Sequence, residues 1–206
     1  MTDSTYHIPK KTVMIEDVIK RSRFIAHIGH TPDVKSAREF IAKIKEEYPD
    51  AGHNCWAYVA GAPWDSQVLG FSDDGEPNGT AGKPMLNVLM GSGIGEITGV
   101  VTRYFGGTKL GTGGLVRAYG GSLKLAMEEL VTGEKIPEVY VTGISEYSHQ
   151  SLIDKLLENY NIIERDVQFT DKISWDLKMD AREAPLAIAE IFDKTSGRIQ
   201  FEVLED

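Results

Sequence analysis

The sequence predicts an α+β protein of two domains, and three observations carry that expectation. Apolar residues recur at strand-like and helix-like spacings in alternation along the chain. Gly133 and Pro137 interrupt the pattern, placing one domain at 1–136 and a second at 137–206. Beyond that break the elements run βαββαβ within about 70 residues, which is the ferredoxin-like order.

In the first domain, Arg23–His30 alternates weakly and reads as a strand behind a basic approach of Lys20, Arg21 and Arg23. Val34, Ala37, Ile41, Ile44 and Tyr48 then fall three or four apart, one stripe of a helix with Asp33 as N-cap and Pro49 as its stop. Cys55–Ala60 and Gln67–Phe71 read as strands joined through Gly61-Ala62-Pro63, and a polar loop, Ser72–Gly82, leads into a short helix at Pro84–Met90. Glu96–Phe105 is the best strand in the chain; a glycine-dense turn follows it, then a helix from about Gly114 to Leu130. In the second domain the strands are Glu138–Ser145, Ile162–Thr170, Ile173–Met179 and Ile199–Leu204, with helices at Ser148–Asn159 and Ala184–Lys194.

With 206 residues, 41% of them hydrophobic, each domain can bury a core. No run of 18 apolar residues is present, so no membrane span is expected. Met1–Lys11 is polar and predicts no secretory signal, and the single cysteine, Cys55, fits a reducing compartment; the cytoplasm is the expected location. The net charge of −9 argues against a surface that binds nucleic acid everywhere. Its distribution is uneven. Residues 137–206 hold 7 basic and 15 acidic side chains, whereas Ile97–Met127 holds Arg103, Lys109, Arg117 and Lys124 and no acid at all.

That basic stretch contains Arg103–Gly121, with seven glycines in 19 residues: Gly106, Gly107, Gly111, Gly113, Gly114, Gly120 and Gly121. Glycine inside a helix costs about 1 kcal/mol relative to alanine, so Gly120 and Gly121 require a reason. At about 100° per residue they share a helix face with Arg117 and Lys124, away from the stripe of Leu115, Tyr119, Leu123 and Met127. Two readings compete: close helix-on-sheet packing, or a bare backbone flanked by cations that a phosphate chain approaches. Gly111–Gly114, at the helix start, offers free N–H groups to an anion. Neither the phosphate-loop spacing nor the dinucleotide glycine spacing is met.

A second unusual stretch holds Asp73, Asp74, Glu76 and Lys83. Its acids can hold a hard cation, partner the basic stretch, or simply form a turn, and calcium-loop spacing is absent. His53 and Cys55 lie two apart and share a strand face, the arrangement of a nucleophile and its base, although one cysteine falls short of a closed zinc site. An ordinary cysteine beside an ordinary histidine is the preferred reading. No catalytic residue, metal or cofactor is assigned.

Arg21-Ser-Arg-Phe-Ile-Ala, the His53-x-Cys-x-Ala-Tyr element, Ser72–Leu86 and Arg103–Gly121 together resemble the YigZ/IMPACT family over about residues 16–130, and residues 137–206 resemble the smaller C-terminal domain of its bacterial members. The resemblance implies an N-terminal domain like domain 2 of ribosomal protein S5, followed by a ferredoxin-like domain, a pairing similar to two neighbouring domains of elongation factor G. It singles out Asp73, Asp74, Gly75, Glu76, Pro77, Gly79, Thr80 and Gly82 in one motif. In the other it singles out Arg103, Tyr104, Gly106, Gly107, Leu110 and Gly114. Eukaryotic members carry a further N-terminal RWD domain without a counterpart in this sequence, so their partner is not expected here.

The function expected is that of a translation-associated binding protein contacting RNA or the ribosome. Arg103, Lys109, Arg117 and Lys124 would meet phosphates and Tyr104 or Tyr119 would stack on a base. One alternative is an enzyme or binder for a small phosphorylated ligand, with Mg²⁺ on Asp73, Asp74 and Glu76. Another is a protein-interaction module using the acidic ferredoxin-like sheet of the C-terminal domain.

Overall fold

A computed structural model describes residues 5–204. The first four residues of the polar N-terminal stretch, and Glu205 and Asp206 of the acidic C-terminal count, lie outside them. The chain separates into two compact units, Tyr6–Lys135 and the part from Ile136 onward, the latter with Thr5.

In the first unit the order is β1 (Tyr6–Pro9), β2 (Val13–Ile19), β3 (Ser22–His30), α1 (Val34–Glu47), β4 (His53–Val59), β5 (Leu69–Ser72), α2 (Gly82–Ser92), β6 (Ile97–Tyr104), α3 (Thr112–Glu128) and β7 (Thr132–Lys135). Five strands form an antiparallel sheet in the order β2-β3-β6-β4-β5. Alternation along the strands sends Phe24, Ala26, Ile28, Cys55, Ala57, Ile97 and Val101 to one face, where α2 and α3 cover them with Met85, Leu89, Tyr119 and Leu123. The opposite face takes α1 through Ala37, Ile41 and Ile44, packed on Tyr58 and Val100. Helix α1 starts where Asp33 foretold: its carboxylate accepts the Ser36 N–H at 2.7 Å, and the Ser36 hydroxyl accepts the Asp33 N–H at 3.1 Å.

The second unit contains β8 (Glu138–Ser145), α4 (Gln150–Leu157), β9 (Ile162–Phe169), β10 (Ile173–Asp180), α5 (Ala184–Lys194) and β11 (Phe201–Val203). Its antiparallel sheet runs β11-β8-β10-β9, the ferredoxin-like order, and the class is the α+β expected. Trp175, Leu177, Ile153, Ile191 and Phe201 fill the space between the sheet and its two helices. The buried Trp175 indole donates to Ser145 Oγ at 2.9 Å, which answers its one polar atom.

Several elements depart from the expectation. Strands β1, β2 and β7 were not foreseen. β2 is an edge strand with Met14 and Val18 exposed, so its apolar residues occupy both faces and hide the alternation. β1 pairs with β7, more than a hundred residues away in the chain, a partner that local periodicity does not reveal. The last strand is shorter than Ile199–Leu204 because the Ile199 N–H is still bound to Thr195 Oγ1 at the end of α5.

His27, on β3 beneath α1, is buried beside Tyr48 and its Nδ1 has no partner. Burial lowers its pKa below the usual histidine value, with Glu47 opposing in part. The native state therefore holds the ring neutral where the unfolded chain takes up a proton. Stability is expected to fall as pH drops below about 6.5, by at most about 1.4 kcal/mol per pH unit, levelling off beneath the folded-state pKa. Urea midpoints measured between pH 7.5 and pH 5 check this: His27→Gln should flatten the decline, and an unchanged decline would place its cause elsewhere. Each unit having its own core, fragments 1–135 and 136–206 are each expected to melt cooperatively by circular dichroism.

Candidate nucleic-acid interface

The two unusual stretches of the sequence meet at one buried carboxylate. Glu76, its side chain 4% exposed, accepts from Arg103 Nη1 at 2.6 Å and from the Tyr119 hydroxyl at 2.7 Å. Arg103 is itself 6% exposed, packed between the rings of Phe24 and Phe105 at 5.6 Å from each. Its Nη2 lies 3.4 Å from Ser22 Oγ, and its Nε has no partner. Burial, with the Cys55 thiol and Glu76 adding to it, pushes the Tyr119 phenol far above its ordinary range, so it acts as a fixed donor. Arg103 and Tyr119, expected at the surface to meet a phosphate and a base, are instead buried and bound to Glu76. Of the roles open to the loop acids, Glu76 takes that of partner to the basic stretch.

The other two acids are equally occupied, and they diverge. Asp73 Oδ1 accepts the N–H groups of Ala81 and Gly82 at 2.9 Å, and Oδ2 that of Gly79 at 2.8 Å, serving the first turn of α2 from eight residues upstream. Burial opposes ionisation of Asp73, but the three donors together outweigh it and hold its carboxyl below the usual range. Asp74 binds Lys45 Nζ at 2.6 Å and the Asn54 N–H at 2.7 Å, which likewise overcome burial. A Mg²⁺ ion would have to displace these donors. Among the described residues no group of three or more His, Cys, Asp or Glu side chains could hold a metal.

Cys55 and His53 share a strand face, as their spacing implies, without forming a nucleophile and base. The thiol donates to the Asp73 carbonyl at 3.0 Å and burial pushes its pKa up to about 12, the Tyr119 hydroxyl opposing. A thiolate is thus absent at neutral pH. His53 uses Nδ1 on the Asp74 carbonyl at 2.9 Å.

The remaining bases face solvent. Lys109, Arg117 and Lys124 are exposed, as are Gly107, Gly111, Gly113 and Gly121, and no carboxylate among the described residues pairs with these three cations. A Cβ at Gly121 would meet nothing within 4 Å, and at Gly120 only an ordinary contact with Pro84 and Val88 of α2 at 3.9 Å. Packing does not require glycine at either place. Gly114 is different: its Cβ would press on Leu110 at 3.0 Å. Helix α3 opens at Gly111 with no side-chain cap, and the Arg117 guanidinium reaches back to 4.0 Å from the Cβ position of Gly113. A cation at the positive end of a helix is repelled by the dipole, and an anion between them would relieve both. Beside Lys124 a groove of about 460 Å³ runs between α2 and α3, lined by Asn87, Val88, Gly91, Met127 and Glu128. Lys83, in the first turn of α2, lies over the Phe71 ring at 5.6 Å.

Two contributors went unassigned in the sequence. The turn between β2 and β3 brings Lys20 and Arg21 beside the glycine loop, so close that a Cβ on Gly106 would stand 1.9 Å from the Arg21 carbonyl oxygen. Both turn residues have left-handed backbones, at φ 46° and 68°, where Asn-Gly would be the relaxed choice. Basic charge is held there against local preference. The second is Phe105, 58% exposed at the entry to the loop. Tyr104, expected to stack, instead donates its hydroxyl to Asp50 at 2.7 Å and carries Arg23 over its ring. The basic approach to β3 and the aromatic run at residues 104–105 were visible signals; which members face solvent was not.

A family model described as the Impact N-terminal domain matches residues 20–127. An IMPACT family member of Haemophilus influenzae is 45% identical over 200 residues, covering 97% of each chain. The Escherichia coli K12 member YigZ is 46% identical over 201 residues, covering 97% of this chain and 98% of its own. A crystal structure titled only as a hypothetical protein matches 98% of both chains with a TM-score of 0.73 at 45% identity.

The buried pair supplies a test of the packing. Glu76→Gln leaves Arg103 charged and uncompensated, and should cost about 3–5 kcal/mol by urea denaturation. Adding Arg103→Met should recover part of that loss, giving a coupling above about 1 kcal/mol in a double-mutant cycle. Additive losses would show that the two side chains do not depend on one another.

Proposed function

This chain belongs to the IMPACT family, and from that premise we propose that it is a translation-associated binding protein that holds RNA by its phosphates. The surface used is the β2–β3 turn, the glycine loop and the exposed face of α3. Lys20, Arg21, Lys109, Arg117 and Lys124 meet phosphates, the N–H groups at the start of α3 add hydrogen bonds, and Phe105 offers a stacking platform. Gly121 carries the proposal. It sits inside a helix between two cations, where a Cβ would meet nothing within 4 Å, so close packing among the described residues does not account for it and the approach of a phosphate chain does. The alternative of a Mg²⁺-bound phosphorylated ligand finds less support, because all three loop carboxylates already serve protein donors.

Five phosphate contacts imply a slope of log affinity against log salt near −3.5 for single-stranded RNA, at about −0.7 per contact. Lys109→Ala with Arg117→Ala should flatten that slope by about 1.4 and weaken unrelated RNA sequences alike, with the melting temperature nearly unchanged. Gly121→Ala separates the two readings of the glycine face. It should stabilise the fold by roughly 0.5–1 kcal/mol while weakening RNA binding. If the double variant binds as the parent does at every salt concentration, this surface is not the RNA site.

A further inference from the structure

The sheet of the second unit has a face that its helices do not cover. Residues Ile173, Trp175, Leu177 and Met179 of β10 point into the core, so Ser174, Asp176 and Lys178 point the other way. Register adds Glu138, Tyr140, Thr142 and Ile144 from β8, Glu164, Asp166 and Gln168 from β9, and Glu202 from β11. Five exposed carboxylates thus share the face with one lysine, Asp180 opposite Glu138 being buried and bound to Arg182, and that lysine is already taken up by Glu138 at 2.7 Å and Glu164 at 3.6 Å.

The middle row across the strands is Glu202, Thr142, Asp176 and Asp166. Asp176 and Asp166 are direct cross-strand partners, an arrangement in which like charges oppose pairing. Among the described residues only neutral groups soften it: Thr142 Oγ1 donates to Asp176 at 2.9 Å, and Gln168 Nε2 lies 3.4 Å from Asp166. No cation among the described residues pairs with Asp166, Asp176 or Glu202. On the central strand β8, Tyr140 and Ile144 stand 49% and 58% exposed on either side of this row. The row spans three strand spacings, about 14 Å, and the two apolar side chains are about 13 Å apart along the strand.

We propose that this open sheet face docks a lysine- or arginine-rich segment of a partner protein, its cations on the Glu202–Asp176–Asp166 row and its apolar residues on Tyr140 and Ile144. Charge complementarity selects the occupant: among the described residues the row has no cation of its own and it repels itself, so a cationic segment satisfies it where a phosphate backbone would be excluded. The proposal does not depend on the RNA-binding surface of the first unit.

The test uses the full chain and a fluorescein-labelled amphipathic helical peptide of lysine and leucine, followed by anisotropy. The parent should bind the peptide with an affinity that falls as salt rises. The variant Asp166→Asn, Asp176→Asn, Glu202→Gln should bind about tenfold or more weakly, the sum of three modest charge contacts. It should also melt at or above the parent's temperature, because a self-repelling row has been neutralised. A control with the same change in net charge, Glu158→Gln, Asp171→Asn, Asp193→Asn, should keep its affinity within about twofold. Equal loss in both variants would reduce the effect to net charge and overturn the proposal. So would undiminished binding by the first variant, no binding by the parent, or a lower melting temperature showing that the row supports the fold. RNA binding by the parent that is lost in the first variant, but kept in Lys109→Ala with Arg117→Ala, would assign the face to nucleic acid instead.

Discussion

Glu76 is a carboxylate taken almost wholly out of water, and the first unit is arranged around it. An ion in that position is tolerable only if its lone pairs are answered at close range, and Arg103 and Tyr119 do so at 2.6 and 2.7 Å. The three residues come from the loop after β5, the end of β6 and the middle of α3, so one interaction ties the polar loop to the sheet and to the helix that carries the exposed cations. The loop in turn is folded by its own neighbours. Asp73 serves the start of α2, and Asp74, beyond the end of β5, binds Lys45.

This arrangement divides the basic stretch into two populations. Arg103 spends its charge inside, on Glu76, and packs between Phe24 and Phe105. Lys109, Arg117 and Lys124 keep theirs outside, and the Lys20–Arg21 turn joins them through its contact with Gly106. The glycines divide the same way. Gly106 exists because a Cβ there would strike the Arg21 backbone, whereas a Cβ at Gly121 would meet nothing within 4 Å among the described residues. A motif that looks uniform in sequence is thus half scaffold and half surface. The second unit shows a related asymmetry, with one sheet face closed by helices and the other left acidic and partly apolar.

Much of the fold was legible because its signals are local. The capping Asp33, the stripe of α1, the alternation of β6 and the βαββαβ order each depend on residues a few positions apart. Of the strands that were missed, β1 and β7 owe their pairing to each other across the length of the first unit, and β2, though it pairs with its neighbour β3, carries apolar residues on both faces. At the candidate surface, residue type was legible and exposure was not. Arg103 and Lys109 are both cations in a glycine-rich run, and nothing within that run says that one is buried.

By itself the sequence determined the α+β class, the ferredoxin-like order, the family, the concentration of base without acid in residues 97–127 and the acidity of residues 137–206. Those properties follow from composition, spacing and motif, which are read along the chain. Only the tertiary structure decided that Glu76 belongs to Arg103, that Tyr119 is buried while Phe105 is exposed, and that Asp166, Asp176 and Glu202 form one row. The reason is physical: desolvation and register depend on which distant strands and helices come together, and a charge becomes a core pair or a free surface cation only when its surroundings have been assembled.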